Sequence, residues 1–376
     1  MGNTLKICSV RTEVVYVPRL RAYNKVALTA LGPANLSEYG LVFIDTDEGI
    51  TGIGEISTVF FPNGRLLCEL VDETLSSIIV GEDPFRISYL MGKLDQAIAG
   101  AEPAKAGIDM ALWDIVGKAL NVPVYQLFGG MTRDRIPLSY SVPFGEPEEM
   151  AEFAREKSAQ GFRTIKVKVG QGVEQDVAAV RLVREAVGND RRVRVDANMA
   201  WRSPKEAISI IRAMEPYRPE LIEQPLPRRE LDGLAEIRRQ VSVPIMADES
   251  VWNPRDAMEV IRRGAADVIN VYVAESGGIQ NAAKIFAMCD QANVQTMIGS
   301  MPELGVGTAA QIHLGIAMNN LCLDSDTCGV LYHAEDVLLT PLRFKNGYAF
   351  PPDGPGLGVE VDKAVVERLL QPPLHS

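Results

Sequence analysis

Three short segments decide the fold, and each ends in a carboxylate: Val193-Arg194-Val195-Asp196, Leu221-Ile222-Glu223 and Pro244-Ile245-Met246-Ala247-Asp248. Asp196 and Glu223 are 27 residues apart, and Glu223 and Asp248 are 25 residues apart. Each step has the length of one strand, one helix and two loops, so the chain is predicted to repeat a β/α unit. In a barrel of such units the carboxyl ends of the strands converge on one mouth, where we expect the three acids to meet.

Converging acids predict a metal site. Three carboxylates repel one another unless a cation lies between them, and carboxylate oxygens suit Mg²⁺, with Mn²⁺ as a substitute. One repeat upstream, residues 164–169 read as a strand that carries Lys166 and Lys168 on one face, directed at the same mouth. The competing interpretation, that each acid caps the helix after it, is common for a single acid but less so for three in successive repeats.

Strand-like and helix-like stretches alternate from residue 136 onward, which predicts an α/β fold with a modified (β/α) barrel of the TIM type. A doubly wound open sheet is the alternative. The eight strand candidates are residues 137–142, 164–170, 193–198, 221–224, 244–249, 268–273, 295–300 and 321–326. The chain before them reads as an antiparallel meander followed by three helical stretches. We therefore expect three parts: an α+β domain at residues 1–130, a barrel at 131–341, and a segment at 342–376 that returns to the first domain.

Composition limits the class of protein. The 376 residues suffice for a full barrel and an appended domain, and 47% hydrophobic with 23% charged residues is typical of a globular protein. No apolar run reaches the roughly 18 residues that span a bilayer, and the start lacks a signal-peptide pattern, so we expect a cytoplasmic protein. The net charge of −11 disfavours nucleic acids and anionic membranes as partners.

Five motifs, in their order along the chain, resemble the muconate-lactonizing-enzyme subgroup of the enolase superfamily (the mandelate racemase/muconate lactonizing enzyme family): Lys166-x-Lys168, Asp196-Ala-Asn198, Glu223-Gln-Pro225, Asp248-Glu-Ser250 and Ser276-Gly-Gly278. The phrase from Gly49 to Glu55 is similar to that family as well, and the resemblance covers nearly the whole chain. The subgroup includes muconate cycloisomerases, N-acylamino-acid racemases, dipeptide epimerases and o-succinylbenzoate synthases.

The resemblance implies an N-terminal capping domain, a modified barrel, and removal of a proton α to a carboxylate to give a metal-stabilised enediolate. By position, it implies Mg²⁺ ligands at Asp196, Glu223 and Asp248. It also implies that Lys168 is the base, with Lys166 beside it as a second positive charge. Two further residues are expected to lie behind these groups and to orient Lys166 or a ligand: Asn198 and Glu249.

The sixth strand departs from the family pattern. Many members carry there a phrase like Asn-Ile-Lys-x-x-Lys-x-Gly-Gly, whose first lysine faces the other base across the substrate. Here the phrase runs from Asn270 to Gly278, with Tyr272 at the position of that lysine and Glu275 at the later one. Tyr272 either transfers protons on the face opposite Lys168 or only packs against the substrate.

Candidate substrate residues come from two places. Asp324-Ser-Asp326 puts two carboxylates on one face of the eighth strand, a pattern that resembles the pair holding an ammonium group in dipeptide epimerases; loop acids or caps are the alternative. In the first domain, Arg19, Arg21, Tyr23 and the loop Val59-Phe60-Phe61-Pro62 are expected to close over the ligand. The two arginines either pair a distal carboxylate or are surface charges.

Three functions compete. The first is a Mg²⁺-dependent isomerase, that is a racemase, epimerase or cycloisomerase, of an amino-acid-like carboxylate. The second is a dehydratase, a lyase in which Lys168 chemistry eliminates water from a hydroxy- or hydroxyamino-acid. The third is a ligand-binding homologue that has lost catalysis, against which the intact Lys166 and Lys168 argue. The expected partners are a small-molecule carboxylate and further copies of the chain in a homo-oligomer.

Overall fold

An antiparallel meander opens the chain. In the computed structural model, which describes residues 5–23, 36–60 and 63–371, it consists of β1 (Ile7–Pro18), β2 (Leu36–Thr46) and β3 (Thr51–Ile56). β2 pairs with both of its neighbours. Gly49, in the turn between β2 and β3, has φ of +78°, which glycine adopts without a steric cost.

Helices cover one face of this meander. They are α1 (Gly64–Leu70), a π-helical turn (Val71–Leu75), α2 (Ser76–Ile79), α3 (Ile87–Ala97), α4 (Glu102–Leu120) and α5 (Val124–Leu127). α4 lies directly on β3, where a Cβ on Gly52 or Gly54 would overlap the α4 backbone at Ala111 or Gly107. Two glycines at alternate positions of β3 therefore allow the helix to approach the sheet closely.

The barrel follows as alternating strands and helices. A short strand, β4 (Ile136–Pro137), comes first and lies outside the barrel sheet. The barrel strands are β5 (Ser139–Val142), β6 (Thr164–Lys168), β7 (Arg192–Asp196), β8 (Ile222–Glu223), β9 (Ile245–Ala247), β10 (Val268–Val271) and β11 (Gln295–Ile298). The helices between and after them are α6 (Pro147–Ala159), α7 (Val173–Val187), α8 (Pro204–Met214), α9 (Leu231–Gln240), α10 (Pro254–Arg263), α11 (Ile279–Ala292) and α12 (Gly305–Ala317). β5 to β11 form one parallel seven-stranded sheet in chain order, which confirms the predicted fold class.

The predicted eighth strand, residues 321–326, does not form a regular strand. Isolated parallel bridges instead join Leu321 to Thr296 and Ser325 to Leu138, so the segment links β11 to the region of β5. Ser325 Oγ accepts a hydrogen bond from the Ile298 amide at 3.2 Å. A side chain thus takes a position that a carbonyl would occupy in a regular ladder, which explains why the pairing is interrupted.

The last part of the chain contacts both units. β12 (Phe344–Lys345) and β13 (Tyr348–Ala349) form a small sheet with β4, and α13 (Lys363–Leu369) follows. Gly356 exchanges backbone hydrogen bonds with residues 122 and 124, at 3.0 and 2.9 Å. None of the helices in the described ranges combines the length and the apolar character needed to cross a membrane.

The close contact between α4 and β3 leads to a stability prediction. Gly54→Ala is expected to lower the free energy of unfolding by about 1–3 kcal/mol, because its Cβ forces the helix away from the sheet. Gly92→Ala in α3 is the matched control, since nothing lies within 4 Å of its Cβ. The control should gain about 0.5–1 kcal/mol from helix propensity. Urea unfolding of both variants measures the two effects, and equal signs would contradict the packing argument.

Candidate active site at the mouth of the barrel

Three acids meet at the carboxyl ends of neighbouring strands. Asp196 ends β7, Glu223 ends β8, and Asp248 directly follows β9. The parallel register sets Asp196 beside Glu223. All three side chains are buried, and one ligand atom from each lies within 4.8 Å of the others.

The acids are electrostatically unbalanced. Burial, with Asp196 nearby, raises the pKa of Glu223 well above its usual range, and burial with Glu249 nearby does the same for Asp248. Burial also acts to raise the pKa of Asp196, but the adjacent lysines outweigh it and hold that pKa below its usual value. Glu223 Oε2 and Asp248 Oδ1 are buried without a hydrogen-bond partner. Buried oxygens of this kind fit a hard divalent cation.

The two lysines of β6 lie at different depths. Lys166 is fully enclosed, with its Nζ 2.7 Å from Glu223 Oε1, 2.9 Å from Asp326 Oδ2 and 3.1 Å from Asp196 Oδ2. Burial acts to lower the pKa of Lys166, but the surrounding carboxylates, Asp196 foremost, raise it well above its usual value. Lys168 lies nearer the opening, with 13% of its side chain exposed and its Nζ 2.7 Å from Asp196 Oδ2.

Asn198 and Glu249 form a chain of hydrogen bonds behind Lys168. Asn198 Oδ1 accepts from Lys168 Nζ at 2.7 Å, and its Nδ2 donates to Glu249 Oε1 at 3.0 Å. The Asn198 amide donates to Asp196 Oδ1 at 2.9 Å. The prediction named Lys166 or a ligand: Asn198 contacts the candidate ligand Asp196, and it contacts Lys168 in place of Lys166. Burial raises the pKa of Glu249 to about 7.

Tyr272 follows β10 and reaches the third acid. Its hydroxyl donates to Asp248 Oδ2 at 3.0 Å and accepts from Asn270 Nδ2 at 3.3 Å. Its ring lies against Gly299, where a Cβ would overlap it. Burial and Asp248 raise the pKa of Tyr272 well above its usual value. The Tyr272 hydroxyl is thus hydrogen-bonded to a candidate metal ligand.

A pocket opens over these groups between the first domain and the barrel. Its described lining consists of Tyr23, Val59, Phe60, Ser141, Val142, Pro143, Lys166, Lys168, Asn198, Asp248, Glu249, Tyr272, Ser300, Met301, Pro302, Asp326 and Tyr332. Its charged groups are two lysines of β6 and three acids, Asp248, Glu249 and Asp326. The remainder of the lining is largely apolar and aromatic, with the Tyr23 and Tyr332 ring centres 4.4 Å apart.

The acid pair of the eighth segment is split. Asp326 lines the pocket and accepts from Lys166 Nζ and Ser139 Oγ. Asp324 instead accepts from Thr164 Oγ1 at 2.8 Å and lies 3.2 Å from Arg192, at the amino-terminal ends of β6 and β7. The prediction that both acids face the mouth is therefore wrong for Asp324. A period of two keeps both side chains inside the barrel but about 7 Å apart along its axis.

The first domain contributes unequally to the pocket. Tyr23 lies in the lining, and its hydroxyl donates to the Ser141 carbonyl at 3.1 Å. Arg19 is absent from the described lining; it donates to Ser37 Oγ at 2.6 Å and to the Leu36 carbonyl at 2.9 Å, at the start of β2. Arg21 belongs to a short 3₁₀ turn, Arg21–Tyr23. The Arg21 side chain, together with residues 61 and 62, lies outside the described part.

Several residues that hold the acids or line the pocket are not among the predicted site residues. Gln224 Oε1 accepts from the Asp248 and Ser250 amides at 2.9 and 3.2 Å, so it holds the third acid in place. Gln224 is the middle residue of the motif Glu223-Gln-Pro225, so the sequence indicates its position beside a candidate ligand. Residues 300–302 also line the pocket. Their position after the seventh strand candidate would have indicated this, because loops at the carboxyl ends of barrel strands build the mouth.

Comparison with known proteins agrees with this arrangement. The family model described as "Enolase C-terminal domain-like" matches residues 149–365, and the model for the N-terminal domain of mandelate racemase / muconate lactonizing enzyme matches residues 11–129. The chain is 40% identical over 295 residues to a hydrophobic dipeptide epimerase of Enterococcus faecalis, covering 78% of this chain and 83% of that protein. It is 34% identical over 374 residues to muconate cycloisomerase 1 of Rhodococcus opacus, covering 96% and 98%.

Its fold is similar to a solved structure of the same kind. The crystal structure of muconate lactonizing enzyme from Pseudomonas fluorescens, complexed with muconolactone, superposes with a TM-score of 0.93 at 30% identity. The match covers 98% of this chain and 100% of that one.

Proposed function

The chain belongs to the mandelate racemase/muconate lactonizing enzyme family of the enolase superfamily, and from this premise we propose a metal-dependent isomerase that removes a proton α to a substrate carboxylate. Relatives named as epimerase and cycloisomerase make it an enolase-superfamily isomerase. One observation supports metal-dependent proton removal: Asp196, Glu223 and Asp248 form a buried group in which Glu223 and Asp248 each have an oxygen without a hydrogen-bond partner. This group lies next to a pocket that contains Lys168.

Asp196, Glu223 and Asp248 are assigned to hold the divalent cation, Mg²⁺ with Mn²⁺ as a substitute. The fit rests on Glu223 Oε2 and Asp248 Oδ1, which are buried and lack partners, and on a donor set made only of carboxylate oxygens. When bound, the cation supplies positive charge that lowers the cost of negative charge on the substrate carboxylate. Gln224 and Tyr272 keep Asp248 oriented through their hydrogen bonds.

Lys168 is the proposed base because its amine lies at the pocket and is oriented by a hydrogen-bond chain. Asp196 and Asn198 each hold its Nζ at 2.7 Å, and Glu249 in turn holds the Asn198 amide. Lys166 is enclosed by three carboxylates and lies deeper, so its proposed role is to balance their charge and keep them in place.

The proposed substrate is a small amino-acid-like carboxylate with an apolar side chain. Supporting this, the outer lining contains apolar and aromatic side chains, among them Val59, Phe60 and Met301. The described lining has only two cations, Lys166 and Lys168, and both are paired with acids at strand ends. Asp326 lines the pocket as a carboxylate paired with Lys166 and Ser139, and its negative charge at the lining supports the amino-acid-like part of the proposal.

One observation favours a reaction with a single base, which is either a cycloisomerisation or, as the second candidate, the elimination of water by a dehydratase. Inversion of a stereocentre needs a proton carrier on each face of the substrate, whereas the Tyr272 hydroxyl is already bound to Asp248. A single lysine on one face suits a cycloisomerisation or the elimination of water, with Lys168 acting as both base and acid.

Association of the chain into a homo-oligomer stays a prediction.

The metal assignment predicts a defined loss of binding. Asp196→Asn, Glu223→Gln and Asp248→Asn should each weaken Mn²⁺ binding by at least about tenfold, because each removes a charged ligand. Titration followed by electron paramagnetic resonance measures this without substrate. Asp324→Asn is the matched control, since this acid is also inside the barrel but at its other end, and its binding should not change. An acid variant that binds Mn²⁺ like the wild type would exclude that residue as a ligand.

The base assignment is tested by hydrogen exchange at Cα. Apolar amino-acid derivatives and hydroxy-acids are screened in D₂O by NMR, and Lys168→Ala should reduce deuterium uptake on the order of a hundredfold or more. Mn²⁺ binding by the same variant should persist, because Lys168 contacts the substrate proton rather than the cation. Undiminished exchange in Lys168→Ala would assign the base to another residue.

Tyr272→Phe separates two roles of the hydroxyl. If it orients Asp248, the variant should bind Mn²⁺ about tenfold more weakly, and deuterium uptake at saturating metal should remain near the wild-type rate. If it transfers protons instead, metal affinity stays constant while product formation falls at least tenfold. We expect the first result, and the second would restore a two-face mechanism.

A further inference from the structure

Glu55, near the end of β3, is a buried carboxylate that joins the two domains. Its Oε1 accepts from the Leu304 amide at 2.8 Å, and its Oε2 accepts from the Gly307 amide at 2.7 Å. Ser57 Oγ donates to the same Oε1. Each oxygen therefore has at least one donor, and two of the donors belong to the barrel.

These two amides lie at the start of α12, and the Gly305 amide between them donates to Asp336 Oδ1 at 2.9 Å. Leu304 precedes the helix and offers no side-chain acceptor. The first amides of a helix need acceptors, and a negative charge is favoured at that end by the helix dipole. Glu55 therefore caps a barrel helix from the first domain.

The position of this cap relates it to the pocket. Shortly after Glu55 the chain reaches Val59 and Phe60, and shortly before Leu304 it passes through residues 300–302. Both stretches line the pocket, one from each domain. Val59 and Phe60 pack against a buried cluster formed by Tyr272, Ala274 and Met301, so the two stretches share one apolar cluster.

Two further contacts surround Glu55 and the loop before α12. A Cβ on Gly307 would lie 3.1 Å from the Glu55 carboxyl carbon and 2.9 Å from Glu303, so this position leaves little room for a larger residue. Tyr39 of β2 donates to the Pro302 carbonyl at 2.6 Å, a second bond from the first domain to the same loop. Together they fix the loop before α12 against the meander.

We propose that Glu55 is a positioning residue that sets the width of the substrate pocket, by capping α12 and thereby holding residues 57–60 against residues 300–303. Glu55 is not in the described lining of the pocket, so it acts on the substrate only through the residues that it positions. A change at Glu55 should therefore alter substrate binding and selectivity. The inference rests on the proposed function in one respect, that this pocket receives the substrate.

Glu55→Gln tests the proposal, because glutamine keeps the size but has one acceptor oxygen for two amides. Amide hydrogen exchange should accelerate at least tenfold both in residues 57–60 and in residues 300–307. For the best substrate of the D₂O screen, KM should rise about tenfold with a smaller change in kcat, and discrimination between small and large apolar substrates should decrease. Mn²⁺ binding should not change.

Asp114→Asn is the matched control. Asp114 is also a buried acid of the first domain that accepts from two backbone amides, but these amides, of Ile53 and Leu357, belong neither to α12 nor to residues 57–60 and 300–303. Its variant should lower the melting temperature while KM and exchange at residues 57–60 stay unchanged. If Glu55→Gln does not fold, Ser57→Ala replaces it in the test. This variant removes one hydrogen bond to Glu55 and should change KM and local exchange in the same direction but by less.

The outcomes separate the two proposals. A wild type that exchanges no Cα proton in the screen would reject the proposed function, while joint loosening of the two stretches in Glu55→Gln would still support the cap. Glu55→Gln with a lower melting temperature but unchanged KM, selectivity and local exchange would overturn the positioning role and leave Glu55 as a purely structural residue.

Discussion

The burial of excess negative charge at the barrel mouth is the constraint on which the rest of the structure depends. Five buried carboxylates gather there around two lysine amines: Asp196, Glu223, Asp248, Glu249 and Asp326. Such an arrangement is costly unless each charge has a partner. Lys166 contacts three of these acids, and the backbone and side-chain donors of Asn198, Gln224 and Tyr272 hold others. The remaining unpartnered oxygens favour a divalent cation, and hence the chemistry that we propose.

Hydrogen bonds between buried acids and backbone amides also join the two domains. Acids of the first domain accept from amides elsewhere in the chain: Glu55 at the start of α12, Asp109 at Gln280 near the start of α11, and Asp114 at Leu357. α11 and α12 are preceded by Gly278 and Leu304, which offer no side-chain cap. The Gln280, Leu304 and Gly307 amides at these helix ends therefore have their acceptors in the first domain.

Much of the fold was predictable because it depends on local periodicity. Strands and helices of the barrel alternate where the apolar pattern changes period, and the acids at residues 196, 223 and 248 meet because parallel strands share one direction. The eighth strand was predicted and is interrupted. Its pattern of alternating residues was correct for the inward face, but the Ser325 side chain competes with the backbone for the Ile298 amide, which periodicity does not reveal.

The sequence by itself determined the order of strands, the set of three acids and the two lysines on one face, because a strand period and a repeat length specify direction and side. Only the tertiary structure decided how deep each side chain lies in the barrel and which groups it forms hydrogen bonds with. Asp324 and Asp326 share a face, yet one lies at the base of the barrel and the other at its mouth. Tyr272 binds Asp248, Asn198 binds Lys168, and Glu55 caps a helix that begins 250 residues later. These pairings depend on distances across the barrel and between domains, and no local pattern encodes such distances.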